Sequence, residues 1–296
     1  MNFKTKNEYL KFIYNNKSSF ENKFHTDYFY RYNIEWVKKY SELLTCYFKN
    51  TLNYNNSFSL IDFHNYIDSS FFKTEENDKP TNNRNKLSTI VFNFVEKNEK
   101  IYHDFILWLY KDIIKEDFYF QKIPTIRIYL PNSEPNPLPL WHSDCFLGHS
   151  PKEMNIWFSL TKNEDLSFFL HDLNYSREWL RENHYDADEF LKNTELKKPD
   201  FNEKGFEGNP EKVNALNDNI FLFDSRCIHT PLHRPMHDRT TRVSFDTRII
   251  LKKDFEWLMI NEKPVFIGKG IKKAHFKPGG KFGYDERSAE ELKEAQ

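Results

Sequence analysis

At Ile123 the hydrophobic pattern of this chain changes period, and few architectures accommodate what stands on either side. Before that point aromatic and aliphatic residues recur at helical spacing over residues 6 to 50 and 86 to 118, as in Leu107, Trp108 and Tyr110 followed by Ile113 and Ile114. After it, Thr125-Ile126-Arg127-Ile128-Tyr129-Leu130 alternates and is β-branched, the signature of a strand. Prolines 131, 135, 137 and 139 then predict a rigid loop. Further strand signals occupy Leu140 to Phe146, Met154 to Leu160, Ser167 to His171, Asn219 to Phe223, Cys227 to Thr230 and Arg242 to Leu251. A helical interlude runs from Ser176 to about Lys192. Short strands separated by turns, after a helical block, predict an α+β chain whose core is a small β-sandwich or barrel flanked by helices.

The expected organisation is a single domain over 1–296. Residues 1–122 form a mostly helical support, 123–251 the β core with a helical insertion near 176–210, and 252–296 a C-terminal extension. Polar loops are expected from Thr74 to Lys86 and over 199–210. The extension carries a strand signal from Pro264 to Ile267, a turn at Pro278-Gly279-Gly280 and a charged helical end. With 29 Phe, 16 Tyr and 6 Trp, aromatic rings fill the interior.

Lys plus Arg number 43 against 44 Asp plus Glu, so no global field holds nucleic acid or an anionic membrane, and the expected partner is a small molecule. Cys46, Cys145 and Cys227 are an odd set without a Cys-x-x-Cys, which predicts reduced thiols in a cytoplasmic setting. No apolar run suits a signal peptide or a membrane span. Oligomeric state leaves no mark in the sequence.

Within the strand-like part, Trp141-His142-Ser143-Asp144 places an imidazole and a carboxylate two residues apart, on one face if the segment is extended. The spelling alone is cheap, since His184-Tyr185-Asp186 repeats it. That second copy lies in a helical stretch, where residues two apart point about 200° away from each other and cannot share a metal. A distant histidine, His229, follows the buried-type strand Asn219 to Phe223. Thirteen residues later comes Arg242, with Ser244 two beyond it, at a distance that suits a hairpin return onto the neighbouring strand. Two histidines and one carboxylate make the facial donor set of non-haem iron. A planar guanidinium beside a hydroxyl makes a carboxylate clamp. The plainer alternatives are a hydrogen-bonded core histidine at 142 and a surface salt bridge at 242, among Asp238, Arg239 and Asp246.

These residues resemble those of the iron(II) and 2-oxoglutarate-dependent oxygenases, in particular the phytanoyl-CoA dioxygenase-like branch. The resemblance covers roughly 123 to 251. It rests on Trp141 to Asp144, on Asn155-Ile156-Trp157-Phe158-Ser159-Leu160-Thr161, on Asp218 to Asp224 leading to His229, and on Arg242-Val243-Ser244. The run from Gly148-His149 to Thr161 is also similar to a set of such enzymes among antibiotic and surface-sugar biosynthesis proteins. The resemblance implies a double-stranded β-helix, a jelly-roll or cupin-like barrel with helices outside. It implies iron(II) on His142, Asp144 and His229, with Arg242, assisted by Ser244, holding the distal carboxylate of 2-oxoglutarate. Arg248 shares the face of Arg242 and is the rival anchor.

The implied reaction uses 2-oxoglutarate and O2, gives succinate and carbon dioxide, and oxidises a small metabolite. Because Asp144 fills the carboxylate position, hydroxylation is favoured over halogenation, and desaturation, ring closure and epoxidation stay open. Arg127, Tyr129, Asn155 and Trp157 are the candidate substrate contacts; an ion pair for Arg127 and a core position for Trp157 are the structural alternatives. His149, His171 and His233 are weaker candidates, and Cys227 shares the parity of His229. Asp165 to Phe169 departs from the branch by lacking its usual Gly-containing loop and Ser-His pair. The competing function is a cupin-type metal-dependent isomerase, or a sugar or small-molecule binding protein without oxygen chemistry.

Overall fold

The computed structural model describes residues 28–32, 34–54, 57–72, 85–131, 141–144, 149–150, 152–162, 168–182, 211–213, 219–231, 240–261 and 283–295, together with Glu8, Lys11 and Phe20. Helices come first, as the change of period predicts. Helix α1 (Ile34–Thr51) buries Val37, Tyr40, Leu44 and Phe48, three and four positions apart, so one stripe faces inward. Helix α2 (Lys86–Lys97) starts on a reciprocal cap in which the Asn85 side chain accepts from the Ser88 amide at 2.8 Å and Ser88 Oγ from the Asn85 amide at 2.9 Å. Helix α3 (Glu99–Trp108) continues into a wider turn over Leu109–Ile114, which Lys115 closes with a left-handed φ of 53°.

Two antiparallel sheets follow. The larger has six strands, ordered β1 (Tyr28–Tyr32), β7 (Asn219–Asp224), β4 (Met154–Ser159), β9 (Arg242–Leu251) and β2 (Phe118–Phe120), with β3 (Thr125–Tyr129) also paired to β9. The smaller has β6 (Glu211–Val213), β5 (Phe168–Leu170) and β8 (His229–Pro231) in that order. Helix α4 (Leu173–Glu182) follows β5, α5 (Lys252–Asn261) follows β9, and α6 (Ala289–Glu294) ends the described chain. Among the described residues, no helix is long and apolar enough to cross a membrane.

Several expectations change. Strand β1 lies inside a stretch expected to be helical; its aromatic run Tyr28-Phe29-Tyr30-Arg31-Tyr32 pairs along β7, and sheet pairing wins over helical spacing. Trp141 to Asp144 is not a regular strand but a single bridge, His142 to His229, closed by N–H to carbonyl hydrogen bonds of 2.9 and 2.8 Å in the two directions. Strand β9 does not return onto β8. Its two edges are taken by β4 on one side and by β3 and β2 on the other, while β8 pairs with β5. Strands β2 and β6 had no distinct signal. The proline-rich loop, the loops at 74–84 and 199–210, the helix beyond Glu182, His184 and Asp186, the signals at 264–267 and 278–280, His233, Cys145 and residues 163–167 lie outside the described residues.

The larger sheet has two unlike faces. Ile126, Ile156, Phe158, Leu222, Val243, Phe245 and Ile249 point into the core shared with α1 and α3. There Phe245 stacks on Phe158, with ring centres 4.5 Å apart and planes at 16°, and lies 4.8 Å from Tyr40 and 5.7 Å from Phe105. Burying each such ring stabilises the fold by roughly 1.5–3 kcal/mol. The alternate residues face the other way. Strand registers set Asn155 opposite both Phe223 and Arg248, Trp157 opposite Asp246, Tyr129 opposite Arg242, and Arg127 opposite Ser244. That second face is polar and charged although buried, a costly arrangement that calls for a chemical reason.

Candidate metal centre

The site is built from the turn between β7 and β8. Arg226, 1% exposed, folds back on Asp224, with Nε 2.8 Å from Oδ1 and Nη2 2.6 Å from Oδ2. The Arg226 amide donates to Oδ1 at 2.9 Å, and the Cys227 amide to the Asp224 carbonyl at 3.0 Å. This locked turn delivers the Cys227 carbonyl to His229, 2.9 Å from Nδ1. A carbonyl only accepts, so Nδ1 carries the proton and Nε2 offers its lone pair. Ser143 Oγ donates to the Ser225 carbonyl at 3.0 Å, which ties the His142 segment to the same turn.

The bridge between His142 and His229 brings their rings to 4.4 Å between centres. Asp144 Oδ1 lies 3.8 Å from His142 Nε2 and 3.9 Å from His229 Nε2. One donor atom from each of the three residues falls within 4.8 Å of the others, a spacing that a single ion can close. Exposure of the three side chains is 6, 7 and 12% for His142, Asp144 and His229. Burial pushes the Asp144 carboxyl up, but Arg248, and then His149, His229 and His142, outweigh it and hold the group well below the usual carboxylate range. Burial pushes the His229 imidazole down, and Asp144 only partly opposes this. An ionised carboxylate beside a neutral imidazole is what a divalent metal requires.

The pocket over this centre is also lined by Arg127, Tyr129, Asn155, Trp157, Arg242 and Arg248. Its three arginines make different contacts. Arg248 gives Nη2 and Nε to Asp144 Oδ2 at 3.1 and 3.4 Å, and Nη1 to Gln121 Oε1 at 3.2 Å. Arg127 Nε sits 2.6 Å from Asp246 Oδ2, and that carboxylate raises the guanidinium pKa further. Arg242 lies over two rings, its guanidinium carbon 5.2 Å from the Tyr129 centre and 5.8 Å from that of Trp157. Ser244 is fully buried beside them, and its Oγ has no hydrogen-bond partner among the described residues. The same holds for both amide atoms of Asn155, which is 4% exposed.

The nine residues expected as metal, co-substrate and substrate contacts, and the rival anchor Arg248, thus lie on this face of the larger sheet or on the histidine bridge beside it. Trp157 lines the pocket rather than the core cluster, and Arg127 is in an ion pair with a residue of the same pocket. The others stand behind. His149 turns Nδ1 to Glu153 Oε2 at 3.1 Å, and the Tyr284 hydroxyl donates to the other oxygen of Glu153. His171 stacks on Tyr175 at 4.1 Å and lies 5.1 Å from Trp141, and burial pushes its imidazole down to about 4. Its amide donates to the Ile228 carbonyl at 2.8 Å, so it frames the bridge.

Sequence reasoning read Arg248 only as a rival anchor and missed its polar partners. Asp246 could have been found, because it shares the parity of Arg242 and Arg248 on one strand. Gln121 and the Asp224–Arg226 pair gave no such signal, since nothing in local spacing distinguishes a buried polar contact from an exposed one.

No protein-family model matches the chain. A stretch of 44 residues is 46% identical to the streptomycin biosynthesis protein StrG of Streptomyces griseus, covering 15% of this chain and 21% of that protein. The chain therefore matches about a fifth of the length of this curated relative. Among solved structures it is similar to the non-heme alpha ketoglutarate dependent epimerase SnoN from nogalamycin biosynthesis, at 12% identity and a TM-score of 0.39 over 94% of this chain and 98% of that one. It is also similar to a prolyl 4-hydroxylase from Phytophthora capsici, at 11% identity and a TM-score of 0.40 over 86% of this chain and 68% of that one.

Proposed function

We propose that this protein is an iron(II)- and 2-oxoglutarate-dependent oxygenase on a double-stranded β-helix, which oxidises a small-molecule metabolite, by hydroxylation in the first instance. The observation that carries this is the convergence of His142, Asp144 and His229, with donor atoms within 4.8 Å, in a pocket that Arg242 also lines. When bound, the metal supplies activation of O2 and the oxidative decarboxylation of 2-oxoglutarate to succinate and carbon dioxide that drives substrate oxidation.

The chain's own residues do the rest. His142 and His229 would hold the metal through nitrogen and Asp144 through one oxygen, a three-donor set that leaves room for co-substrate and oxygen. Arg242 binds the distal carboxylate of 2-oxoglutarate through its planar fork, held in place by the Tyr129 and Trp157 rings, and the buried Ser244 hydroxyl assists. Arg248 is not the anchor, because its fork is engaged by Asp144 and Gln121. The Asn155 amide and the Arg127–Asp246 pair face the substrate. A carboxylate at 144 leaves no ligand position for chloride, which favours hydroxylation over halogenation. The cupin-type isomerase draws less support, because the nearby His149 turns its ring to Glu153 instead of joining the donor set. The likeness to a protein of streptomycin biosynthesis fits a substrate from secondary or sugar-related metabolism.

The test is turnover without a substrate. Protein supplied with iron(II), ascorbate and 2-oxoglutarate in air is expected to form succinate slowly, and His142→Ala to form none above background. Absence of both succinate and 2-oxoglutarate binding in the unmodified protein rejects the proposal.

A further inference from the structure

Asp144 has two oxygens with separate tasks. Oδ1 faces both imidazoles, at 3.8 and 3.9 Å, whereas Oδ2 is held by Arg248 through Nη2 at 3.1 Å and Nε at 3.4 Å. Arg248 is itself fixed from behind. Its Nη1 donates to Gln121 Oε1 at 3.2 Å and lies 3.6 Å from Asp246 Oδ1, and Asp246 Oδ2 in turn holds Arg127 at 2.6 Å. Charges therefore alternate across the sheet from Arg127 through Asp246 and Arg248 to Asp144. The side chains of Arg248, Asp246 and Asp144 are 12, 12 and 7% exposed. Charge-assisted bonds in such surroundings are strong, and a buried fork has few other orientations.

We propose that Arg248 is a positioning residue which keeps Asp144 a one-oxygen ligand. With Oδ2 tied to the guanidinium, only Oδ1 reaches the ion. Without Arg248 the carboxylate turns, both oxygens bind, and one of the positions needed by 2-oxoglutarate and oxygen is lost. This rests on the metal-centre assignment above, and it gives Arg248 a task different from the anchoring role that its parity with Arg242 suggests. Gln121 belongs to the same device, since it stops the guanidinium from swinging away. Residues that hold a metal ligand from behind commonly change affinity by about 10–100-fold when removed.

The experiment loads the protein with Mn(II) alone and counts metal-bound water from the relaxation of solvent protons, with 2-oxoglutarate affinity measured on the same samples. The unmodified protein is expected to bind Mn(II) and retain several exchangeable waters. Arg248→Met is expected to bind Mn(II) with about one water fewer and to bind 2-oxoglutarate about tenfold more weakly. Gln121→Met is expected to shift both in the same direction by less, and is the deciding variant if Arg248→Met shows no cooperative melt. An unchanged water number in whichever variant melts cooperatively overturns the positioning role and leaves the metal centre standing. Failure of the unmodified protein to bind Mn(II) instead removes the metal centre, and the inference with it.

Discussion

Arg242 differs from its two neighbours in what it touches. Arg127 and Arg248 are each engaged by an aspartate, at 2.6 and 3.1 Å, and Arg242 lies over the Tyr129 and Trp157 rings, at 5.2 and 5.8 Å. Aromatic contacts orient the flat face of a guanidinium, and a carboxylate is bound through its in-plane N–H groups. Arg242→Ala is expected to weaken 2-oxoglutarate binding by about 2 kcal/mol, roughly thirtyfold in Kd, in calorimetric titrations with metal present. Arg242→Lys recovers only part of the loss, because a single ammonium cannot pair with both carboxylate oxygens in plane. An unchanged affinity in both variants moves the anchor away from Arg242.

The turn after β7 and the strand β9 determine whether the site exists. Asp224 and Arg226 form a buried, two-pronged pair of 2.8 and 2.6 Å that shapes the turn carrying the Cys227 carbonyl to His229. Asp224→Ala removes a two-pronged carboxylate partner from a buried guanidinium and is expected to cost about 3–5 kcal/mol in urea unfolding of the metal-free protein. A loss under about 1 kcal/mol contradicts the structural weight placed on this turn. Strand β9 was legible over its whole length, and from Arg242 to Arg248 its residues alternate between the pocket face and the core face. Its partners were not legible, because alternation fixes which face a residue takes and says nothing about which strand lies beside it. The His142 segment shows the same limit. Its pairing of imidazole and carboxylate was visible, yet the two side chains meet through one bridge to His229 and not through a regular strand.

For the molecule as a whole, the larger sheet divides the labour. One face, with Phe158 and Phe245 at its centre, packs on α1 and α3 and provides stability; the other holds the charged residues that this stability keeps in place. The change of period at Ile123 made that division readable, apart from β1, whose aromatic run joins the sheet from inside the block read as helical. The polar partners that tune the site come from separate places, the acceptor Gln121 before it and the donor Tyr284 near the end, and only folding brings them to Arg248 and Glu153.

Whether this face holds iron and 2-oxoglutarate together is decided by mixing the metal-free protein with iron(II) and 2-oxoglutarate without oxygen and recording the visible spectrum. A weak charge-transfer band should appear that needs both additions, vanishes in His229→Ala and fades on exposure to air. A colourless mixture under saturating iron and 2-oxoglutarate contradicts the account.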